Sequence, residues 1–104
     1  MTLFNGRPTP PLDDALRRIR ELADEVLPEQ AAADDRYPVE DDHCFRRIAY
    51  DAAVGDRWDE VLARPFHKHA RPAHIRRALS VLEEMAADPS AARTYNRRSL
   101  RYRE

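Results

Sequence analysis

The sequence predicts an all-α fold, a small single-domain bundle of three main helices plus two short ones over residues 1–104. Apolar residues recur at spacings of three and four along several stretches, and no alternating run is long enough for a strand. Eight prolines cut the chain into segments of helical length, and the two glycines are too few for a set of hairpin turns or a phosphate-cradling loop. Charged residues make up 36% of the chain, which suits a small helical domain with much surface for its volume.

The first helix begins at Thr9-Pro10-Pro11, where Thr9 can cap and proline costs little because its missing N–H had no partner. Leu12, Leu16, Ile19, Leu22, Ala23 and Val26 form its apolar face, Asp13 and Asp14 suit the positive end of the dipole, and Pro28 is expected to end it. Residues 1–9 read as an extended N-terminal arm. Residues 28–37 show no apolar period and read as a connection. Pro38 is expected to open a second helix that runs to about Ala53, with Gly55 as its stop. Phe45, Ile48, Ala49 and Ala52 form its buried stripe, with Cys44 at the edge.

Asp56 is placed to cap a short helix through Arg64, with Trp58, Val61 and Leu62 facing inward and Pro65 closing it. The sole Trp reads as the plug of the bundle's open end. Pro72 starts the next long helix, with Ile75, Ala78, Leu79, Leu82, Met85 and Ala86 on one face. Asp88 caps and Pro89 begins a short final helix to about Arg97. Residues 98–104 extend it or form a basic tail.

Charge is sorted along the chain. Residues 1–60 carry eight Arg against fifteen Asp and Glu, a balance of −7, whereas residues 61–104 carry ten Lys and Arg against four acids, a balance of +6. Such polarity speaks of partners and association, not of fold. All but one of the basic residues are Arg, whose planar fork of donors suits carboxylates and phosphates. One Cys excludes an internal disulfide, and no apolar run approaches the roughly 20 residues of a membrane span. The first eight residues hold no apolar stretch of signal-peptide length. A cytoplasmic protein without membrane association is the expectation.

Several groupings qualify as sites. Arg93, Tyr95, Arg97, Arg98, Arg101, Tyr102 and Arg103 place five Arg and two Tyr within eleven residues, a combination that pairs with phosphates or acidic side chains and can stack on bases. The same residues could instead pack on the bundle and pair with its acidic helices. His67, Lys68, His69 and Arg71, followed by His74, Arg76 and Arg77, make a second basic patch around the Pro65–Pro72 connection. A His-x-His pair with His74 or Cys44 could hold zinc, but Lys68 and Arg71 repel a cation, and no metal is expected.

On the second helix, His43, Arg47 and Tyr50 share one side, with Asp51 placed to hold the Arg47 guanidinium. This set could bind an anion or move a proton. Gly55-Asp56-Arg57-Trp58 resembles a helix-turn-helix corner, but Asp56, Asp59 and Glu60 put carboxylates where a recognition helix needs donors. A plain helical corner is expected there.

No motif identifies an enzyme, and no cofactor is expected. The reading is a non-enzymatic binding or regulatory module that engages a partner protein, or a second copy of itself, through its charge-polarised surface. Nucleic acid bound by the Arg/Tyr-rich C-terminal segment is the alternative. A small enzyme or accessory domain centred on His43, Arg47, Tyr50 and Asp51 is the third.

Overall fold

The structure, a computed structural model, describes residues 11–104 together with the backbone of Leu3–Phe4 and Arg7–Pro8. Those two short segments pair antiparallel. The Thr9 cap and the rest of the 1–9 arm lie outside the described residues. From residue 11 onward the chain is all-α, as the apolar spacing predicts.

The first helix, α1, is longer than expected. It joins Leu12–Glu21, a widened π segment Leu22–Val26 and Leu27–Ala33 into one rod. Pro28 does not end it. The Leu27 N–H bonds to the Leu22 carbonyl, five residues back, and this wider turn accommodates a ring that would otherwise clash with the preceding turn. The burial of Leu27 and Ala31 holds the extension in place. The 28–37 connection therefore shrinks to a loop over residues 34–41.

That loop is tied down by its own chemistry. The Tyr37 hydroxyl donates to the Met85 carbonyl at 2.8 Å, and its ring meets Phe45 edge-on. Val39 packs against the core. Asp34 accepts from the backbone N–H of Arg36 at 3.0 Å and from its guanidinium at 2.7 and 2.9 Å. The Arg36 side chain, then its backbone N–H, lower the Asp34 carboxyl from 3.8 to about 2. A depressed acid stabilises the fold above its unfolded value and loses that contribution as pH falls through the folded one. An NMR titration should place the Asp34 midpoint at about 2, and Arg36→Ala should return it towards 3.8. An unchanged midpoint in the variant would refute the pairing.

Helix α2 is Asp42–Val54 and starts four residues after Pro38, not at it. Asp41 stays extended while its carbonyl accepts from Cys44 and Phe45, so the acidic pair Asp41 and Asp42 sits at the positive helix end. Gly55 stops the helix as expected. Its φ of 78° lets its N–H close on the Asp51 carbonyl at 2.8 Å, a left-handed conformation that a side chain would strain.

Two short helices follow, α3 (Trp58–Val61) and α4 (Phe66–His69). Trp58 is buried, but Val61 is not: it is 52% exposed, contrary to the inward position expected, because α3 lasts a single turn. The Arg64–Pro65 peptide is cis. Phe66 stacks on Tyr50 at 3.8 Å, with Trp58 edge-on to both rings.

Helix α5 (Pro72–Ala87) packs against α1, α2 and α6, and buries Ile75, Ala78, Val81, Leu82 and Met85. Helix α6 is Pro89–Tyr102. Asp88 caps it as expected, accepting from the Ser90 N–H at 2.9 Å. Of the two alternatives for residues 98–104, extension of the helix holds. It does not stop near Arg97 but forms a fourth main helix, because Ala92 and Ser99 bury against the bundle and Arg103 is anchored at the end. Residues 98–104 are not a free tail.

Candidate functional site

Two arrangements stand out, and they occupy different parts of the surface. The first is built from α6. Its inward stripe is Ala92, Asn96, Ser99 and Arg103, at spacings of four, three and four, with Ala92 and Ser99 buried and the other two half-buried. The opposite face then presents Thr94, Arg97, Arg98 and Arg101, with Arg93 and Leu100 along one flank beside Arg97. Thr94, Arg97, Arg98 and Arg101 line a depression of about 280 Å³. Among the described residues, no carboxylate lies within ion-pair distance of Arg97, Arg98 or Arg101. Arg98 lies over the Tyr95 ring, and Arg93 donates to the Arg36 carbonyl at 2.9 Å. Leu100 is 51% exposed and, with Val61, is one of two large apolar side chains left in water among the described residues.

Not every residue of the basic segment is available there. The Tyr95 hydroxyl bonds to Glu84 and also accepts from Arg77, whose guanidinium, like that of Arg98, lies over the ring. Burial and the Glu84 carboxylate push its phenol above the ordinary value. Tyr95 is thus a structural clamp between α5 and α6, not a free stacking platform. Tyr102 is half-buried. Arg103 turns inward to Asp51.

The second arrangement surrounds Asp51, the fully buried carboxylate of α2. It accepts from the Trp58 backbone N–H at 3.0 Å, the Ser99 hydroxyl at 2.5 Å, and Arg103 Nε and a terminal nitrogen at 2.8 and 3.0 Å. These bonds raise the Arg103 guanidinium above its ordinary value, against the opposing effect of burial. The expectation that Asp51 holds Arg47 is corrected. Asp51 points inward to Arg103, and Arg47 instead donates to Ser99 Oγ at 2.8 Å and Asn96 Oδ1 at 2.9 Å.

Above this node lies a cleft of about 240 Å³. Arg46, Arg47, Arg64 and Arg103 line it together with Tyr50, Trp58 and His43. Arg46 pairs with Asp24 at 2.5 Å, Arg64 with Asp59 at 2.7 Å, and Arg103 with Asp59 at 3.7 Å as well as with Asp51. Burial works against the charge of Asp59, but hydrogen bonds from Arg57 and Arg64 outweigh it and hold the carboxyl below its ordinary value. Arg64 also lies over the Trp58 ring at 5.1 Å. The one-face spacing of His43, Arg47 and Tyr50 holds, but α3, the Arg64 segment and the end of α6 complete the cleft. Arg46, Trp58 and Arg64 were not assigned to it from the sequence.

His67, Lys68, His69 and Arg71 are exposed around α4. His67 borders another depression, of about 270 Å³, with Leu16, Arg20 and Arg46, so the two basic segments line different surfaces. His67, His69 and His74 do not gather with Cys44 among the described residues. The trio whose ligand atoms come within 4.8 Å is Asp41, His43 and Cys44, all in the first turn of α2 or just before it. Both Asp41 and His43 are exposed. No helix among the described residues is long and apolar enough to cross a membrane. The chain matches no protein family, no curated protein and no solved structure.

Proposed function

We propose that this chain is a non-enzymatic binding module that docks the outer face of α6 on an acidic, partly apolar segment of a partner protein. The observation that carries the reading is the run of Arg97, Arg98 and Arg101, without carboxylate partners among the described residues, beside exposed Leu100. Two other arginines of the basic half, Arg64 and Arg103, are ion-paired within the fold, with Asp59 and Asp51. The guanidiniums of α6 supply steering and charge-assisted hydrogen bonds. Leu100 supplies the apolar contact that exposed ion pairs alone, at about 0.2–1 kcal/mol each, do not provide.

A protein partner fits better than nucleic acid. The chain is net −1, with a pI near 6.4, and its first sixty residues are strongly acidic. A long polyanion would be repelled beyond this short basic face, whereas nucleic-acid binders present a broad basic surface. Tyr95, the aromatic centre of the segment, is already clamped.

The test uses a synthetic peptide of alternating Glu and Leu blocks, with mixed-sequence RNA as the rival probe, each at low and physiological salt. The peptide should bind, and exchanging Arg97, Arg98 and Arg101 for Gln should weaken it by roughly 3–150-fold, three exposed pairs' worth. These positions are exposed, so the variant should keep its fold. Tighter binding of RNA than of peptide, with a steep salt dependence, would overturn the reading in favour of nucleic acid. So would no binding of the peptide at low salt.

A further inference from the structure

The cleft above Asp51 contains an electrostatic imbalance that the proposed docking face does not use. Three of its guanidiniums have carboxylates of their own: Arg46 has Asp24, Arg64 has Asp59, and Arg103 has Asp51. Arg47 has none among the described residues. Its partners are the neutral Ser99 hydroxyl and Asn96 side-chain oxygen, which fix two of its nitrogens and leave its charge uncompensated. A half-buried cation oriented by neutral acceptors at the wall of a cavity is a preorganised anion receptor. The two bonds also remove most of the freedom that Arg47 would otherwise lose on binding.

The remaining walls narrow the ligand class. Guanidiniums line the cleft from three sides, Arg46 and Arg47 on α2, Arg64 in the segment after α3 and Arg103 at the end of α6. Each carries five N–H donors, more than its fold partners take. Converging donors suit a tetrahedral phosphate, whereas a planar carboxylate is satisfied by one fork. Tyr50 and Trp58 meet edge to face with ring centroids 5.4 Å apart and give the cleft an aromatic side. Its volume of about 240 Å³ equals that of about eight liquid waters and lies below the roughly 300 Å³ at which drug-sized pockets begin. That matches a phosphate with one small ring or a few carbons.

We infer that this cleft is a binding site for a small organic phosphate monoester, with Arg47 as its principal anion receptor, Arg64 as a closing donor at the rim, and Tyr50 and Trp58 against the organic group. Arg64 is suited to that role because its side chain is 72% exposed and already lies across Trp58. The site is separate from the α6 face, so the two proposals stand or fall independently.

Trp58 is the sole Trp of the chain and lines the cleft, so it reports occupancy directly. The experiment titrates the full chain with phenyl phosphate at constant ionic strength, following Trp58 fluorescence and its indole NMR resonance. Benzoate, inorganic phosphate and sodium chloride are run in parallel. Phenyl phosphate should saturate, bind more tightly than inorganic phosphate or benzoate, and displace the Trp58 resonance. Arg47→Gln should weaken it by roughly 10–100-fold, the loss of hydrogen bonds to a charged group. Arg47→Lys should recover only part. Because Arg47 also ties α2 to α6, Arg64→Gln serves as a second variant at an exposed position and should weaken binding severalfold with the fold intact. Arg97→Gln should leave the titration unchanged. No saturation, tighter binding of benzoate, or saturation indifferent to both Arg47→Gln and Arg64→Gln would overturn the assignment.

Discussion

Replacing Asp51 by alanine is expected to destabilise the protein by about 3–5 kcal/mol, the cost of removing one partner from a buried charge pair. A domain of this size has only about 5–15 kcal/mol in total. Asp51 is fully buried and receives four hydrogen bonds from three residues on two elements: the Trp58 N–H at the start of α3, the Ser99 hydroxyl on α6, and the Arg103 guanidinium at the end of α6. Alanine leaves Arg103 with only the more distant Asp59, at 3.7 Å, and strands the Trp58 N–H. Asparagine is no full remedy. It has the same shape, but its amide turns a donor towards groups that are themselves donors.

Urea denaturation measures the loss, and a cycle with Arg103→Ala apportions it. The double variant should cost clearly less than the two single costs added, since each single change leaves the other charge uncompensated. A loss below about 1 kcal/mol for Asp51→Ala would show that the node does not hold α6 to α2.

Phe45→Ala should cost a similar amount, about 3–5 kcal/mol, by a different route. Phe45 is fully buried on α2, and its ring meets that of Tyr37 at 6.3 Å and 78°. Removing it leaves a cavity that helices on either side close only in part, and withdraws the surface against which Tyr37 rests. The second effect has its own signature. Amide hydrogen exchange should quicken in the 34–41 loop, which Tyr37 pins to the Met85 carbonyl, more than at the far end of α5. A loss below about 1.5 kcal/mol would mean that the core closes over the site, against its dense packing.

Much of the architecture was legible because its causes are local. The Ile19–Leu22–Ala23 face, the stripe of Phe45, Ile48 and Ala49, the Gly55 stop and the Asp88-Pro89 start depend on spacing, caps and fixed backbone angles within one or two turns. The misreadings share a cause as well. Pro28 was read as a terminator, but the widened turn and the burial of Leu27 and Ala31 carry the helix past it. Spacing leaves open whether residues 98–104 extend the last helix, because its polar surface conceals how Ser99 and Arg103 anchor it. Val61 was assigned inward on a period that a single-turn helix does not sustain.

The candidate sites divide in the same way. The shared side of His43, Arg47 and Tyr50 is a property of one helix and could be read from spacing alone. That Arg47 would be oriented by Ser99 and Asn96, residues 52 and 49 positions away, could not. Nor could the division of the C-terminal arginines between the solvent face of α6 and the Asp51 node. The sequence by itself determined the helical class, most apolar faces, the Gly55 and Asp88 caps and the polarity of charge, since each follows from interactions a few residues apart, whereas the expected Asp56 cap gives way to Arg57. Only the tertiary structure decided which arginines are neutralised and which remain available. An ion pair forms by proximity in space, and the approach of α2 to α6 is set by the core beneath them and not by any neighbour along the chain.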